Sequence, residues 1–149
     1  MKASQLYDKD FYAWVYDTVG KLKLKKFNEI DLDNVIEEIE GLARSDYREL
    51  IIRLKVLIAH LLKWQLQPDK RSSSWRGTII EQRQKINSLL TDSPSLKYKL
   101  FKQVDINELY KGAKNIFYKD TGLDIEKLLV KNPFTIEEIL DDNFYPMSN

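Results

Sequence analysis

The pattern from Leu32 to Leu66 constrains this chain more than any other feature. Apolar residues recur at Val35/Ile36, Ile39, Ala43, Tyr47, Leu50/Ile51, Leu54, Leu57/Ile58 and Leu61/Leu62. That three-and-four spacing, kept up for more than about eight turns, predicts one amphipathic helix roughly 50 Å long. Asp31 or Asp33 starts it, the acids that follow oppose its dipole, and Pro68 ends it. Gly41 allows a bend. A rod of this length needs other helices along it, which places the chain in the all-α class.

The flanking segments read the same way. Asp8 is the expected N-cap of a first helix carrying Phe11, Trp14, Val15 and Val19, and Lys21–Lys26 is read as its continuation. A third helix holds Trp75, Ile79, Ile86 and Leu90 on one stripe; Ser73 or Ser74 is its expected cap, in preference to the Thr78/Glu81 capping-box pair. Ser93-Pro94 opens a fourth, and Asp105 with Glu108 marks a kink or a new start that runs to Gly122. Thr135 with Glu138 caps a short last helix at Ile136–Leu140, after which Phe144-Tyr145-Pro146 pins the tail. Short connections imply antiparallel neighbours, so the expectation is a single domain over residues 1–149: an antiparallel bundle around the long helix.

Composition narrows function by exclusion. The chain has no cysteine and one histidine, which removes disulfides, thiolate metal sites and cysteine nucleophiles. A carboxylate-only zinc site is unusual, di-iron bundles need Glu-x-x-His pairs, and Glu40 lies some 30 Å from His60 along a continuous helix; no metal and no cofactor is expected. Ser72-Ser73-Ser74 lacks a nucleophile elbow, and no phosphate-binding loop or dinucleotide fingerprint occurs. The N-terminus meets an acid at Asp8 before any long apolar run, and Val56–Leu62 is too short to span a bilayer. The expectation is therefore a cytoplasmic protein with no membrane partner. A net charge of +1 hides segregation: acids crowd residues 29–49 and cations residues 60–85. Such a pattern serves intrachain pairing, self-association or anion binding.

Several polar side chains fall on or beside faces that should be apolar. His60, Lys63, Trp64 and Gln67 share one flank of the long helix, with Arg71 and Trp75 across the turn. They either line a pocket or anion site, or close the end of the core and satisfy loop carbonyls. Gln82 and Arg83 lie in the middle of the third helix's apolar stripe. A buried arginine there must find a carboxylate or water. With no inward acid at that level of the long helix, Asp10 or Asp17 is the expected partner. Glu40 falls within the long helix's apolar stripe with Arg44 one turn on; an exposed i,i+4 pair is the favoured reading, and the alternative is a second buried ion pair of Glu40 or Glu37 with a cation from the fourth helix or another chain.

The same residues carry a family resemblance. Tyr7-Asp8, Asp10-Phe11-Tyr12, Trp14, Glu37-Glu38-Ile39-Glu40, Arg44-Ser45, His60-Leu61-Leu62-Lys63-Trp64, Gln67-Pro68, Arg71-Ser72, Ser74-Trp75, Thr78-Ile79 and Gln82-Arg83 occur in order. They continue through Ser93-Pro94-Ser95-Leu96 and Thr121-Gly122-Leu123 to Pro133–Asp141. In this the chain resembles a bacterial family catalogued as domain of unknown function 29, departing from it at Ala43, where the family usually has glycine. The resemblance implies an all-helical bacterial cytoplasmic protein and no assigned activity.

The functional expectation is a non-enzymatic protein-interaction module, a homo-oligomer or the binder of a small protein partner. Half of a two-gene regulatory pair such as an antitoxin is one form of it. It rests on the missing catalytic constellation, the segregated charge and aromatics near the tail. The alternative is an anion, nucleotide-phosphate or nucleic-acid contact at Lys63, Arg71, Arg76 and Arg83, with nucleic acid the less favoured. A hydrolase using His60 is the third.

Overall fold

The structure, a computed structural model, describes residues 2–127 and 133–148. Those residues form seven α-helices, three single 3₁₀ turns and no strand. The helices are α1 (Ala3–Lys9), α2 (Phe11–Lys23), α3 (Leu32–Leu66), α4 (Ser73–Asp92), α5 (Pro94–Lys102), α6 (Ile106–Thr121) and α7 (Ile136–Leu140). The fold is all-α, and α3 has the bounds that its periodicity dictates. The chain divides into two compact units, Met1–Ser45 and Asp46–Asn149, and α3 contributes residues to both.

In the first unit, Asp8 is a helical residue of α1 and not a cap. The cap is Asp10, whose carboxylate accepts the Ala13 N–H at 3.0 Å and starts α2. An aspartate between two helical runs can break the first and begin the second, because its side chain replaces the missing backbone acceptor. The helical reading of Lys21–Lys26 holds only to Lys23. Lys26 N–H then bonds back to Lys21 and Lys25 N–H to Leu22, and Lys25 takes the left-handed conformation with φ 58°. This is a Schellman stop with lysine where glycine is usual. Tyr7, Phe11 and Trp14 make a ring cluster with centroids 4.9–5.8 Å apart. Tyr7 donates a hydrogen bond to the Glu38 carboxylate of α3, which with burial pushes its hydroxyl pKa up to about 12. Among the described residues of this unit only Trp14 and Thr18 are buried.

The second unit holds the core. Leu50, Leu54, Leu57, Ile58, Leu61 and Leu62 of α3 meet Ile79, Ile86 and Leu90 of α4, Leu100 of α5, and Leu109, Tyr110, Ala113 and Phe117 of α6. Each leucine, isoleucine or phenylalanine among them contributes about 1.5–3 kcal/mol when fully removed from water. The start before Thr78 prevails, but the cap is Ser72, whose hydroxyl accepts the Trp75 N–H, and not Ser73 or Ser74, which are the first residues of α4. Asp105 caps α6 through the Asn107 N–H, and Gly122, at φ 73°, closes it. Thr135 and Glu138 form the full capping box of α7. The tail is pinned twice. Tyr110 Oη donates to the Phe134 carbonyl at 2.9 Å and accepts the Phe134 N–H at 2.8 Å, one hydroxyl serving both main-chain groups of a residue. Phe144 and Tyr145 pack half-buried on the core, so the strongly exposed aromatics lie not near the tail but at Tyr12, Tyr16 and Phe27 of the first unit and at Tyr98 and Tyr118 of the second.

Candidate functional site

Pro68 stops α3, and Ser72 restarts the chain as α4, so the end of one helix and the start of the next frame a short turn. The last carbonyls of α3 need donors there. Arg71 supplies one: its Nε donates to the Trp64 carbonyl at 2.8 Å, and its Nη2 reaches Ser148 Oγ at 3.3 Å. Gln67 forms the joint itself, its N–H bonding to the Lys63 carbonyl.

The guanidinium groups of this region stack on rings. Arg71 and Arg76 lie 4.9 and 5.1 Å from the Trp64 centroid, and Arg76 and Arg83 lie 5.3 and 5.6 Å from that of Tyr145. The two rings are themselves 5.0 Å apart. Arg76 and Arg83 are two turns apart on α4 and so share a face. Three arginines thus alternate with two aromatic rings, an arrangement in which cation–π attraction of about 0.5–2 kcal/mol per contact holds the tail against α3 and α4. Tyr145 is the member that was read only as a tail anchor. Its ring gives no periodic signal in the sequence, because it follows the last helix.

Lys63 is buried, and its Nζ meets Asp120 Oδ2 of α6 at 2.6 Å and lies 5.9 Å from the Trp75 ring. Fifty-seven residues separate Lys63 from Asp120, so the pair was not legible from spacing. His60, one turn back, places Nδ1 2.9 Å from the Val56 carbonyl; a carbonyl can only accept, so Nδ1 carries the proton. Burial, above all, pushes the His60 pKa down, and nearby Lys63 adds to it, which keeps the ring neutral. No serine hydroxyl is paired with it among the described residues.

Arg83 departs from expectation. It is 3% exposed, and its bonds run to main-chain oxygens: Nε to Ile139 at 2.9 Å and Nη2 to Glu138 at 3.4 Å. Neither Asp10 nor Asp17 is its partner. Asp10 caps α2, and Asp17 pairs with Lys21 at 2.8 Å. The physical reason is that the last turn of α7 lies against Arg83: the Ile139 carbonyl takes its Nε, and the Glu138 carbonyl, which also accepts the Asp141 N–H, takes its Nη2, so a planar guanidinium fork suits them. Glu40 takes the favoured i,i+4 partner, Arg44, at 3.6 Å, and Arg44 also meets Glu37 at 2.7 Å, both on the surface of α3. Gln82 accepts from Arg53, which is held by Glu49, and stands apart from the ring stack. Of the candidate residues, Lys63, Trp64, Arg71, Trp75 and Arg83 therefore come together with Arg76 and Tyr145; His60 adjoins them, Gln67 forms the turn, and Gln82 belongs elsewhere.

Chemically the cluster offers donors and ring faces and no activated nucleophile. A shallow pocket of about 250 Å³ opens between Trp64, Arg71, Ser72 and Arg76. Among the described residues no group of three or more His, Asp or Glu side chains is placed to hold a metal ion, and no helix is long and apolar enough to cross a membrane. In comparison with known proteins, the model of the family described as "Domain of unknown function DUF29" matches residues 6–145. Neither a curated protein nor a solved structure gives a significant match.

Proposed function

The chain belongs to the family of domain of unknown function DUF29, and we propose that this member is a non-enzymatic interaction module that pairs with a second copy of itself through its first unit. The observation that carries this reading is an exposed seam on α3. Leu32, Ile39 and Leu42 are 62%, 61% and 70% exposed, and with Val35 they follow the alternating three-and-four spacing of a helix-pairing stripe. Tyr12 and Tyr16 of α2 add a second exposed apolar face. Contiguous exposure of this kind marks an interaction surface.

Charge selects the occupant. Asp33, Glu37, Glu38 and Glu40 flank the α3 seam against one cation, Arg44, which meets Glu37 and Glu40, so two such seams laid together bring net like charge together. The end of α2 is basic, with Lys23, Lys25 and Lys26 making no ion pair among the described residues. In a two-fold pair the α3 seam of each copy meets the α2 face of the other, and both charge contacts are made twice. Light scattering on the purified full chain is expected to give a dimer at micromolar concentration. Ile39→Asp with Leu42→Asp should give monomers that keep their helical circular dichroism. A wild-type protein that stays monomeric overturns the reading, whatever it captures in a pull-down. A regulatory role as half of a two-gene pair, and a cytoplasmic bacterial setting, fit this reading as its finer form.

A further inference from the structure

Arg83 leaves an imbalance that its structural role does not resolve. A guanidinium has five N–H donors, and here only Nε and Nη2 are bonded; Nη1 is buried with no partner among the described residues. No carboxylate stands within ion-pair distance of it among those residues, and Asp141 and Asp142 act on it only from further away. A buried cation compensated by carbonyl dipoles, a ring face and only distant carboxylates is costly.

The same arginine lines a cleft of about 420 Å³, a size that suits a small organic ligand. Its other polar walls are Asn87 and Thr91 of α4 and Lys97 of α5. Positions 83, 87 and 91 are successive turns of one helical face, so their polar ends form a row. Lys97, exposed, makes no ion pair among the described residues, and Asn87 and Thr91 have no side-chain partner there. Every polar group in this lining can donate a hydrogen bond, and none is a carboxylate. Ile86 and Leu140 supply apolar wall beside the row.

We propose that this cleft between α4, α5 and α7 binds a small organic anion, a carboxylate or phosphate head on a short apolar body. Arg83 and Lys97 balance the charge, Asn87 and Thr91 orient the head group, and Ile86 and Leu140 hold the apolar part. The site lies wholly within the second unit and is independent of the pairing surface.

Titration calorimetry on the full chain with hexanoate, hexyl phosphate and uncharged hexanol tests it. At least one anion is expected to saturate the protein at sub-millimolar to millimolar concentration, and hexanol is not. Binding of one anion alone supports the site and identifies its head group. Because Arg83 also ends α7 and its removal can unfold the tail, the deciding variants are the exposed Lys97→Glu and Thr91→Val. Lys97→Glu should weaken the anion by about tenfold or more at low salt, with less difference at high salt. Thr91→Val should weaken it by a few-fold, with circular dichroism unchanged in both. No saturation by either anion, hexanol binding as well as the anions, or an affinity indifferent to Lys97→Glu would overturn the proposal.

Discussion

One helix has two fates. In its first stretch α3 presents Leu32, Ile39 and Leu42 to solvent; in its second, Leu54, Leu57 and Ile58 are fully enclosed. The spacing of apolar residues is the same in both, and so is the backbone. Residues beyond Leu50 have α4 and α6 to pack against, whereas the first unit has two buried side chains in all among its described residues. Periodicity therefore determines that a segment is helical and which stripe is apolar. What covers the stripe is a separate property, decided by elements far away in sequence or by another molecule.

This contrast can be broken at three levels. The largest effect is expected from truncating one leucine in each stretch. Leu57→Ala should destabilise the protein by about 2–5 kcal/mol in urea unfolding, because it leaves a cavity in an enclosed core. Leu42→Ala in a dilute sample should stay within about 0.5 kcal/mol of wild type. Equal losses at the two sites would mean that the first stretch is enclosed in solution as well. Next comes the buried hydroxyl. Tyr110→Phe strands both main-chain groups of Phe134, a loss of about 1–3 kcal/mol, while Tyr16→Phe, on the exposed face of α2, should be silent.

The smallest expected effect is a pH dependence confined to the second unit, which contains the chain's one histidine. His60 is held neutral in the fold by burial, its pKa below the ordinary histidine value. The unfolded chain therefore takes up the proton more readily than the folded one. The stability contribution is fully present above the ordinary histidine range and is lost as pH falls through it towards the lower folded value. Unfolding midpoints recorded from about pH 8 down to about pH 5 should decline, and His60→Gln should flatten part of that decline. A variant with the wild-type slope would assign the titration to carboxylates instead.

Much of the fold was legible because it is local. The bounds of α3, the Ser93-Pro94 start, the glycine stop at Gly122 and the Thr135/Glu138 box each depend on residues within a turn or two of one another. Asp8 misled because Asp10, two residues on, is an equally good cap, and only the short α1 decides between them. The site was legible as a place and not as a set of partners. Lys63, Trp64, Arg71 and Arg83 stood out as polar or aromatic groups out of pattern. Their partners Asp120, Tyr145 and the carbonyls of α7 lie more than fifty residues away, and a carbonyl carries no residue type to search for. A charge on an apolar stripe invites a countercharge, yet main-chain carbonyls of the last turn of α7 take the Nε and Nη2 donors of Arg83.

The tail that Arg83 and Tyr110 grip has a consequence for how the chain is made. On a ribosome the α3–α4 hairpin emerges well before residues 134–139, which supply the acceptors for Arg83 and the peptide group that Tyr110 clasps. Without that later stretch, Arg83 of the hairpin lacks its carbonyl acceptors and Tyr110 of α6 lacks the peptide group that its hydroxyl serves. The second unit therefore completes its polar pairing only when residues 134–139 are present.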